Sequence, residues 1–174
     1  MMNMMNPMTM QRIVNEYQYV TKDKDLIQIG CSFSYNPNNI FIWYVTMLGP
    51  DETPYEGGLF RIRIEFPFDY PNHGPEFIFE NKIYHLNVNF TDSSPDKKGH
   101  VCLSSLNEWR TTGRVSGKPN YGVKQALMDI FCLFFNPGID SPYSQEMANL
   151  YKTNVNEFNR IASEWTKEYA SLSN

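Results

Sequence analysis

The sequence predicts an α+β fold in which a four-stranded antiparallel sheet has one helix before it and three helices after it. Two observations lead to this prediction. Between residues 31 and 79, four short segments rich in β-branched and aromatic residues are separated by turn-forming residues. After residue 123, apolar residues recur at intervals of three and four, which is the period of a helix with one buried face.

The chain before the sheet predicts a short tail and one helix. Residues 1 to 8 read MMNMMNPM and show no periodic pattern, which is typical of a flexible terminus. From residue 9 to residue 21, Ile13, Tyr17 and Val20 are spaced by four and three, so they would share one apolar face. We assign residues 1–8 to a tail and residues 9–174 to a single folded domain, because no internal repeat or second domain is visible.

Four segments predict strands, at residues 31–35, 41–47, 59–66 and 76–79. Odd positions from 41 to 47 carry Phe, Trp, Val and Met, which indicates one well-buried face. Even positions from 60 to 66 carry Phe, Ile, Ile and Phe, with Arg, Arg and Glu between them. Such alternation is typical of an antiparallel meander with a polar outer face.

The second half of the chain predicts an irregular region followed by helices. Residues 80–120 show little periodicity, and so long an irregular stretch indicates a functional loop region. Helical spacing returns at residues 123–135 and ends at the NPG turn of residues 136–138. Residues 144–153 and 155–170 predict two further helices.

Composition excludes several classes of function. The 174 residues are enough for one domain with its own core, and a net charge of -4 argues against a dedicated nucleic-acid binder. No apolar run approaches the roughly 18 residues of a membrane span, and no secretory leader is expected. Three cysteines fit free thiols in a reducing compartment, which predicts a cytoplasmic or nuclear protein. The three histidines show no metal-ligand spacing.

Cys102 is the candidate nucleophile. It follows a turn containing Gly99 and lies between the apolar Val101 and Leu103, so its thiol would sit on ordered backbone beside a polar loop. Upstream, the uncharged amide of Asn87 could hydrogen-bond a developing oxyanion. A thiol and an amide without an obvious base suit acyl transfer through a thioester better than hydrolysis. The alternatives are a buried, inert thiol and a turn asparagine that bonds its own backbone.

Several short motifs in the chain resemble those of the ubiquitin-conjugating enzymes. They occur in that family's order and span about residues 10 to 170. They are LGP at residues 48–50, TPYEGG at 53–58, FPFDYP at 66–71, HLN at 85–87, CLSSL at 102–106 with Trp109, NP at 136–137 and DSP at 140–142.

The resemblance implies a function and a set of site residues. Cys102 would accept ubiquitin from an activating enzyme as a thioester and pass it to a substrate lysine, usually with a ligase. Asn87 would order the active-site loop and support the oxyanion, and His85 would be a structural, neutral ring. Asp140 and Ser141 would support the site; Ser141 occupies a position that is commonly Asp or Ser, and its phosphorylation would add negative charge.

The resemblance also implies partners. These are ubiquitin or a ubiquitin-like modifier, an activating enzyme, a ligase and protein substrates, with no nucleic acid and no membrane, and the protein would be a monomer. No bound cofactor or metal is expected, because ATP is consumed by the upstream activating enzyme. The TPYEGG element and Asp140 are ordinary for ubiquitin carriers, which favours ubiquitin over its relatives.

The chain departs from the family pattern at several places. Leu86 replaces a proline between His85 and Asn87, which removes a restraint on the backbone. Insertions occur at about residues 91–98 and 110–121. The first is either a solvated loop or a specificity element, and the second is a basic, flexible segment where the family has a short turn that contacts ligases. Asn72 and Gly74 replace a bulky apolar residue and a proline in a ligase-facing loop, which predicts an unusual set of ligases.

Other readings of the cysteines and of the function stay open at this stage. Cys31 and Cys132 are expected to be packing residues. The fold could serve as a catalytically weak binding scaffold, which the loss of the proline and the two insertions would allow. A cysteine hydrolase would need a histidine beside the thiol, and His100 is near Cys102 in sequence.

Overall fold

The computed structural model describes residues 6–91 and 95–172, and it has the predicted α+β architecture. The strands are β1 (Ser32–Asn36), β2 (Asn39–Leu48), β3 (Leu59–Glu65) and β4 (Glu76–Phe79). The helices are α1 (Pro7–Thr21), α2 (Lys24–Gln28), α3 (Ser104–Thr112), α4 (Val123–Phe135), α5 (Gln145–Thr153) and α6 (Val155–Tyr169). A 3-10 turn covers Pro95–Lys97.

The sheet is an antiparallel meander in the order β1-β2-β3-β4, as predicted. Its register places Trp43 opposite Ile64, and these side chains are fully buried. The opposite face is polar: Arg61 Nε lies 2.8 Å from Glu80 Oε1, and Arg61 also covers the ring of Tyr44. The predicted alternation is therefore confirmed on both faces.

Helix α1 begins at Pro7, inside the segment that we assigned to a tail. Asn6 is its N-cap, and the Asn6 side-chain oxygen accepts a hydrogen bond from Met8 N at 2.9 Å. Proline is well suited to the first helical position because its φ is already helical and it has no N–H to satisfy. Residues 1–5 of the predicted tail lie outside the described residues. The ring of Tyr17 packs edge-on against Trp43 at 5.2 Å, so α1 covers the sheet with the predicted face.

The three predicted C-terminal helices are present, and α4 has the predicted bounds. Phe134 of α4 packs against the rings of Phe60 and Phe79, at centroid distances of 5.5 and 6.4 Å. The chain beyond α6 returns to the start of β3, where Leu59 N donates to Ala170 O at 2.8 Å. Within residues 6–91 and 95–172, no helix combines the length and the apolar character that a bilayer span requires.

The prediction that residues 80–120 are irregular is wrong at α3. This helix has nine residues, of which Leu106 and Trp109 are buried, and two apolar residues are too few to show a helical period. It ends at Gly113, whose φ of +75° is the left-handed conformation that favours glycine at helix ends. Helix α2 was also not predicted, because its five residues are too few for a periodic pattern.

Candidate active site

Cys102 ends an extended segment that is bonded on both sides. On one side, Cys102 N donates to Asn87 O at 2.7 Å. On the other side, Phe79 N donates to Gly99 O at 2.8 Å. Gly99 has a φ of +82°, and a Cβ at this position would lie only 2.2 Å from Phe79 O, so glycine is required there. The backbone that carries the thiol is therefore fixed against β4 and against Asn87.

The thiol of Cys102 is half-buried and lies next to the start of a helix. Helix α3 begins at Ser104, and its N-cap residue, Leu103, has no side chain that can cap it. The first N–H groups of an α-helix have no partner within the helix and give its start a partial positive charge. A group that gains negative charge at this end of α3 would be stabilised by it.

The side chain of Asn107 contacts the thiol of Cys102 directly. Asn107 Nδ2 lies 3.8 Å from Cys102 Sγ, within the range of a hydrogen bond to sulfur. Asn107 is half-buried on α3, and its own N–H donates to Leu103 O at 2.9 Å. Sequence reasoning missed Asn107 because it did not predict α3, and only the turn of that helix brings residue 107 back to residue 102.

Asn87 is buried, and its side chain connects the Cys102 segment to the loop after α4. Its Oδ1 accepts from Gly138 N at 2.8 Å, and its Nδ2 donates to Gly138 O at 3.0 Å and to Ser141 O at 3.2 Å. The two donated bonds use both amide hydrogens. The Asn87 side chain therefore holds the 138–141 loop, while the Asn87 backbone is bonded to Cys102.

His85 is a buried ring with both nitrogens engaged. Its Nε2 lies 2.8 Å from Leu133 O, which can only accept, so Nε2 carries the proton. Its Nδ1 then accepts from Asn87 N at 3.0 Å. Burial lowers the pKa of His85 to about 4, which keeps the ring neutral near pH 7. Both ring nitrogens are therefore used inside the core.

At Leu86, where the family pattern has a proline, packing restrains the backbone instead. Leu86 is fully buried, and Leu86 O accepts from Tyr143 N at 3.0 Å. Tyr55 of the TPYEGG element packs against His85 with ring centroids 5.6 Å apart. Its hydroxyl donates to Tyr84 O at 2.8 Å. The HLN segment is thus held by contacts from two other parts of the chain.

Asp140 and Ser141 lie on the exposed surface of the 138–141 loop. Ser141 is connected to the site through its backbone, since Ser141 O accepts from Asn87 Nδ2. The structure therefore brings Cys102, Asn87, His85 and the backbone of Ser141 into one bonded cluster. Asp140 lies one residue away on the same loop, with its side chain in solvent.

Comparison with known proteins identifies the family. Residues 12–166 match the family model described as "Ubiquitin-conjugating enzyme". The chain belongs to the ubiquitin-conjugating enzyme family. It is 35% identical over 171 residues to "Probable ubiquitin-conjugating enzyme E2 31" of Arabidopsis thaliana, and the match covers 98% of this chain and 99% of that protein.

A solved structure of this family has the same fold. It is described as "Crystal structure of a putative ubiquitin conjugating enzyme from Plasmodium yoelii", and it superimposes with a TM-score of 0.77 at 30% identity. The match covers 95% of this chain and 97% of the Plasmodium chain. The α+β fold of this ubiquitin-conjugating enzyme family member is therefore shared almost from end to end.

The histidines of this ubiquitin-conjugating enzyme are engaged away from the thiol. His100 Nδ1 lies 3.1 Å from Glu76 Oε2, and Arg110 Nε lies 3.8 Å from the other oxygen of Glu76. His73 Nδ1 lies 2.6 Å from Asp69 Oδ2, and both nitrogens of His85 are used inside the core. These contacts do not support the hydrolase alternative.

The other two cysteines differ from each other. Cys31 is buried, as predicted, and burial raises the pKa of its thiol to about 12. The prediction that Cys132 is a packing residue is wrong, because its side chain is exposed. Helix α4 is also apolar outside its buried face, because the rings of Phe131 and Phe135 pack against each other there and Phe135 is 48% exposed. The composition of α4 therefore did not show that the Cys132 side chain faces solvent.

The insertion at residues 110–121 is anchored at its middle and at its end. At its middle, Ser116 N and Ser116 Oγ donate to Glu108 Oε1 at 2.9 and 2.5 Å, and these bonds lower the pKa of Glu108. At its end, Tyr121 OH donates to Asp129 Oδ2 at 2.7 Å, and the ring packs edge-on against Trp109 at 5.2 Å. The insertion is therefore folded onto α3 and α4.

The loop near residue 72 packs on the same helix. Gly74 N donates to Trp109 O at 2.9 Å, and a Cβ at Gly74 would lie 2.8 Å from the Trp109 ring. This contact explains the glycine. Asn72 is exposed, whereas Phe68 carries an aromatic ring that is 70% exposed on the same turn. In the other insertion, residues 92–94 lie outside the described residues.

Proposed function

We propose that this chain is an active carrier that accepts ubiquitin as a thioester on Cys102 and transfers it to lysine. One observation carries the proposal. Cys102 is bonded through its backbone to Asn87, and the Asn87 amide holds the 138–141 loop beside it. A half-exposed thiol on rigid backbone, with an ordered loop next to it, suits the approach of two large partners in turn.

In the first step, the ubiquitin acyl group moves from the sulfur of the activating enzyme to the sulfur of Cys102. The Cys102 thiolate attacks the carbonyl carbon of the ubiquitin thioester on the activating enzyme. A new carbon–sulfur bond forms, the old one breaks, and the sulfur of the activating enzyme leaves as a thiolate. The N–H groups at the start of α3, which begins two residues after Cys102, would support negative charge on the attacking sulfur. This chain needs no bound cofactor or metal for the exchange, since ATP is consumed when the activating enzyme is loaded.

The second step transfers ubiquitin to an amine. A lysine nitrogen attacks the thioester carbonyl, its proton passes to solvent, and the Cys102 sulfur leaves with its electron pair. Asn87 acts here first as a positioning residue, because its amide orders the 138–141 loop. To reach the oxyanion, the amide must release Ser141 O, which is the longer of its two donated bonds at 3.2 Å.

The loop also suits the approach of a substrate lysine. Asp140 is exposed there and offers a negative charge to an incoming ammonium group. Ser141 is exposed next to it, and phosphorylation would add further negative charge at the same place. We propose that this loop orients the lysine, and that Ser141 is a regulatory position.

The proposed modifier is ubiquitin, and the proposed ligases are an unusual set. TPYEGG and Asp140 are the features of the sequence that favour ubiquitin. On the ligase-facing side, Asn72 offers an amide where the family usually has an apolar side chain, and the folded 110–121 insertion replaces a short turn. Binding to a panel of generic RING domains should therefore be weaker than that of a typical family member.

A loading assay tests the proposal. The purified protein is incubated with an activating enzyme, ATP and ubiquitin, and the products are separated on non-reducing and reducing gels. We expect an upward shift that thiol treatment removes. The shift should vanish in Cys102→Ala and persist in Cys132→Ala, which is the matched control because Cys132 is also a solvent-accessible thiol.

Each other outcome contradicts part of the proposal. A shift with a ubiquitin-like modifier and its own activating enzyme, but none with ubiquitin, would overturn the choice of modifier. If no modifier gave a shift while a positive control loaded normally, the scaffold alternative would replace the carrier. Release of free ubiquitin from a thioester in the absence of any amine acceptor would favour hydrolysis.

A further inference from the structure

The two asparagines of the site differ in what their amide hydrogens contact. Both hydrogens of Asn87 are donated to backbone oxygens of the 138–141 loop, so its amide is committed to the fold. The Asn107 amide instead lies 3.8 Å from the Cys102 sulfur, which is the atom that gains and loses a bond in both steps of the proposed reaction.

We propose that Asn107 is a catalytic residue, whose side-chain N–H stabilises the negative charge on the Cys102 sulfur. This inference deepens the proposed function and rests on it where it concerns transfer. The sulfur attacks as a thiolate during loading, and it leaves as a thiolate when an amine attacks the thioester. A hydrogen bond that strengthens as the sulfur becomes negative would speed both steps.

The position of Asn107 is well defined by the fold. Its N–H donates to Leu103 O at 2.9 Å, so residue 107 belongs to the first regular turn of α3. The buried side chains of Leu106 and Trp109 fix the helix on the core. Ser105 Oγ donates to Asp129 Oδ2 at 2.9 Å, which ties the same turn to α4. The donor is thus held near the sulfur by a rigid element.

The chemistry of an amide suits this task. Asn107 is uncharged, so it can donate to the thiolate without creating a fixed charge beside the thioester. A hydrogen bond to a charged group in a half-buried site corresponds to a rate effect of about tenfold.

The first test uses the unloaded protein and needs no ubiquitin. In a Cys132→Ser background, the rate at which iodoacetamide alkylates Cys102 is measured near pH 7, and Cys31 stays unreactive because it is buried. Asn107→Leu keeps the approximate shape and removes the donor, so alkylation should slow about tenfold. Asn107→Asp keeps an oxygen but no donor and should be at least as slow.

The second test measures transfer in a single turnover. The protein is loaded, the supply of new thioester is stopped, and discharge to free lysine is followed. Asn107→Leu should discharge about tenfold more slowly at saturating lysine, with little change in the lysine concentration that gives half the maximal rate. Asn149→Leu is the matched control, since Asn149 is an exposed residue on the nine-residue helix α5. It should behave like the unchanged protein in both tests.

The results separate this inference from the proposed function. Alkylation and discharge rates of both Asn107 variants within twofold of the unchanged protein would overturn the role of Asn107, even if loading succeeds. Slow alkylation in a protein that carries no modifier would support the contact with sulfur while the carrier function fails. Urea unfolding of each variant shows whether the fold is kept, and Asn107→Asp provides the answer if Asn107→Leu does not fold.

Discussion

Protonation of His85 should destabilise the fold as the pH falls. The ring is buried, and burial lowers its pKa from 6.5 to about 4. Between these two values the unfolded chain binds a proton at His85 and the folded chain does not, so the free energy of unfolding falls as the pH decreases. The full effect is about 3 kcal/mol, and about 2 kcal/mol of it should appear between pH 7 and pH 5.

Urea unfolding of the unchanged protein and of His85→Gln measures this effect. Carboxylates titrate in both proteins, so the difference between the two free energies of unfolding isolates the ring. Glutamine can still donate to Leu133 O but does not titrate. We expect the advantage of the unchanged protein to shrink by about 2 kcal/mol from pH 7 to pH 5. A difference that stays constant over this range would refute the neutral, buried ring and its bond to Asn87.

Three further predictions concern the loop, its surface and the insertion. Asn87→Ala removes three side-chain hydrogen bonds, which should cost about 3 kcal/mol in urea unfolding, and should slow lysine discharge much more than loading; equal loss of both steps would contradict its role. Ser141→Asp should raise the rate of lysine discharge, with Ser141→Ala as the control, and an unchanged or lower rate would argue against the loop orienting the amine. Tyr121→Phe removes the hydroxyl bonded to Asp129 and should lower the free energy of unfolding by about 1 kcal/mol, whereas the same change at the exposed Tyr19 should have no effect; equal values would mean that the insertion is not anchored.

The strands and the longest helices could be predicted because their side chains alternate between two clear environments. The even positions of β3 are buried, and the arginines between them face solvent, so the sequence shows apolar residues at every second position. Helix α4 combines a buried stripe with a terminating NPG turn, and its predicted bounds are those observed. In both cases the local pattern and the tertiary burial agree.

The remaining features depend on contacts between distant parts of the chain. Helix α3 has little apolar character of its own, and it is fixed by the burial of Trp109 against residues such as Tyr70 and Phe77. Because that helix was not predicted, Asn107 was not recognised as a neighbour of Cys102. The exposure of Cys132 depends on which edge of α4 faces the sheet, and a helix that is apolar on two edges does not reveal this.

The candidate site shows the same division. The sequence identified Cys102, Asn87 and His85 through their residue types and the family motif. It did not show that Asn87 uses both amide hydrogens on the 138–141 loop, which is more than 50 positions away in sequence. Such a bond can be seen only when α4 has been placed, since the loop follows directly from that helix.

The most direct test of the central claim is the mass of the adduct formed by Cys102→Ser. The serine hydroxyl should accept ubiquitin from the activating enzyme as an oxyester, which resists thiol treatment. We expect an intact mass equal to the protein plus one ubiquitin less one water, and a peptide map that places the link at residue 102. An adduct found at Cys132 instead, or none at residue 102 while the unchanged protein loads, would contradict the assignment of Cys102 as the carrier residue.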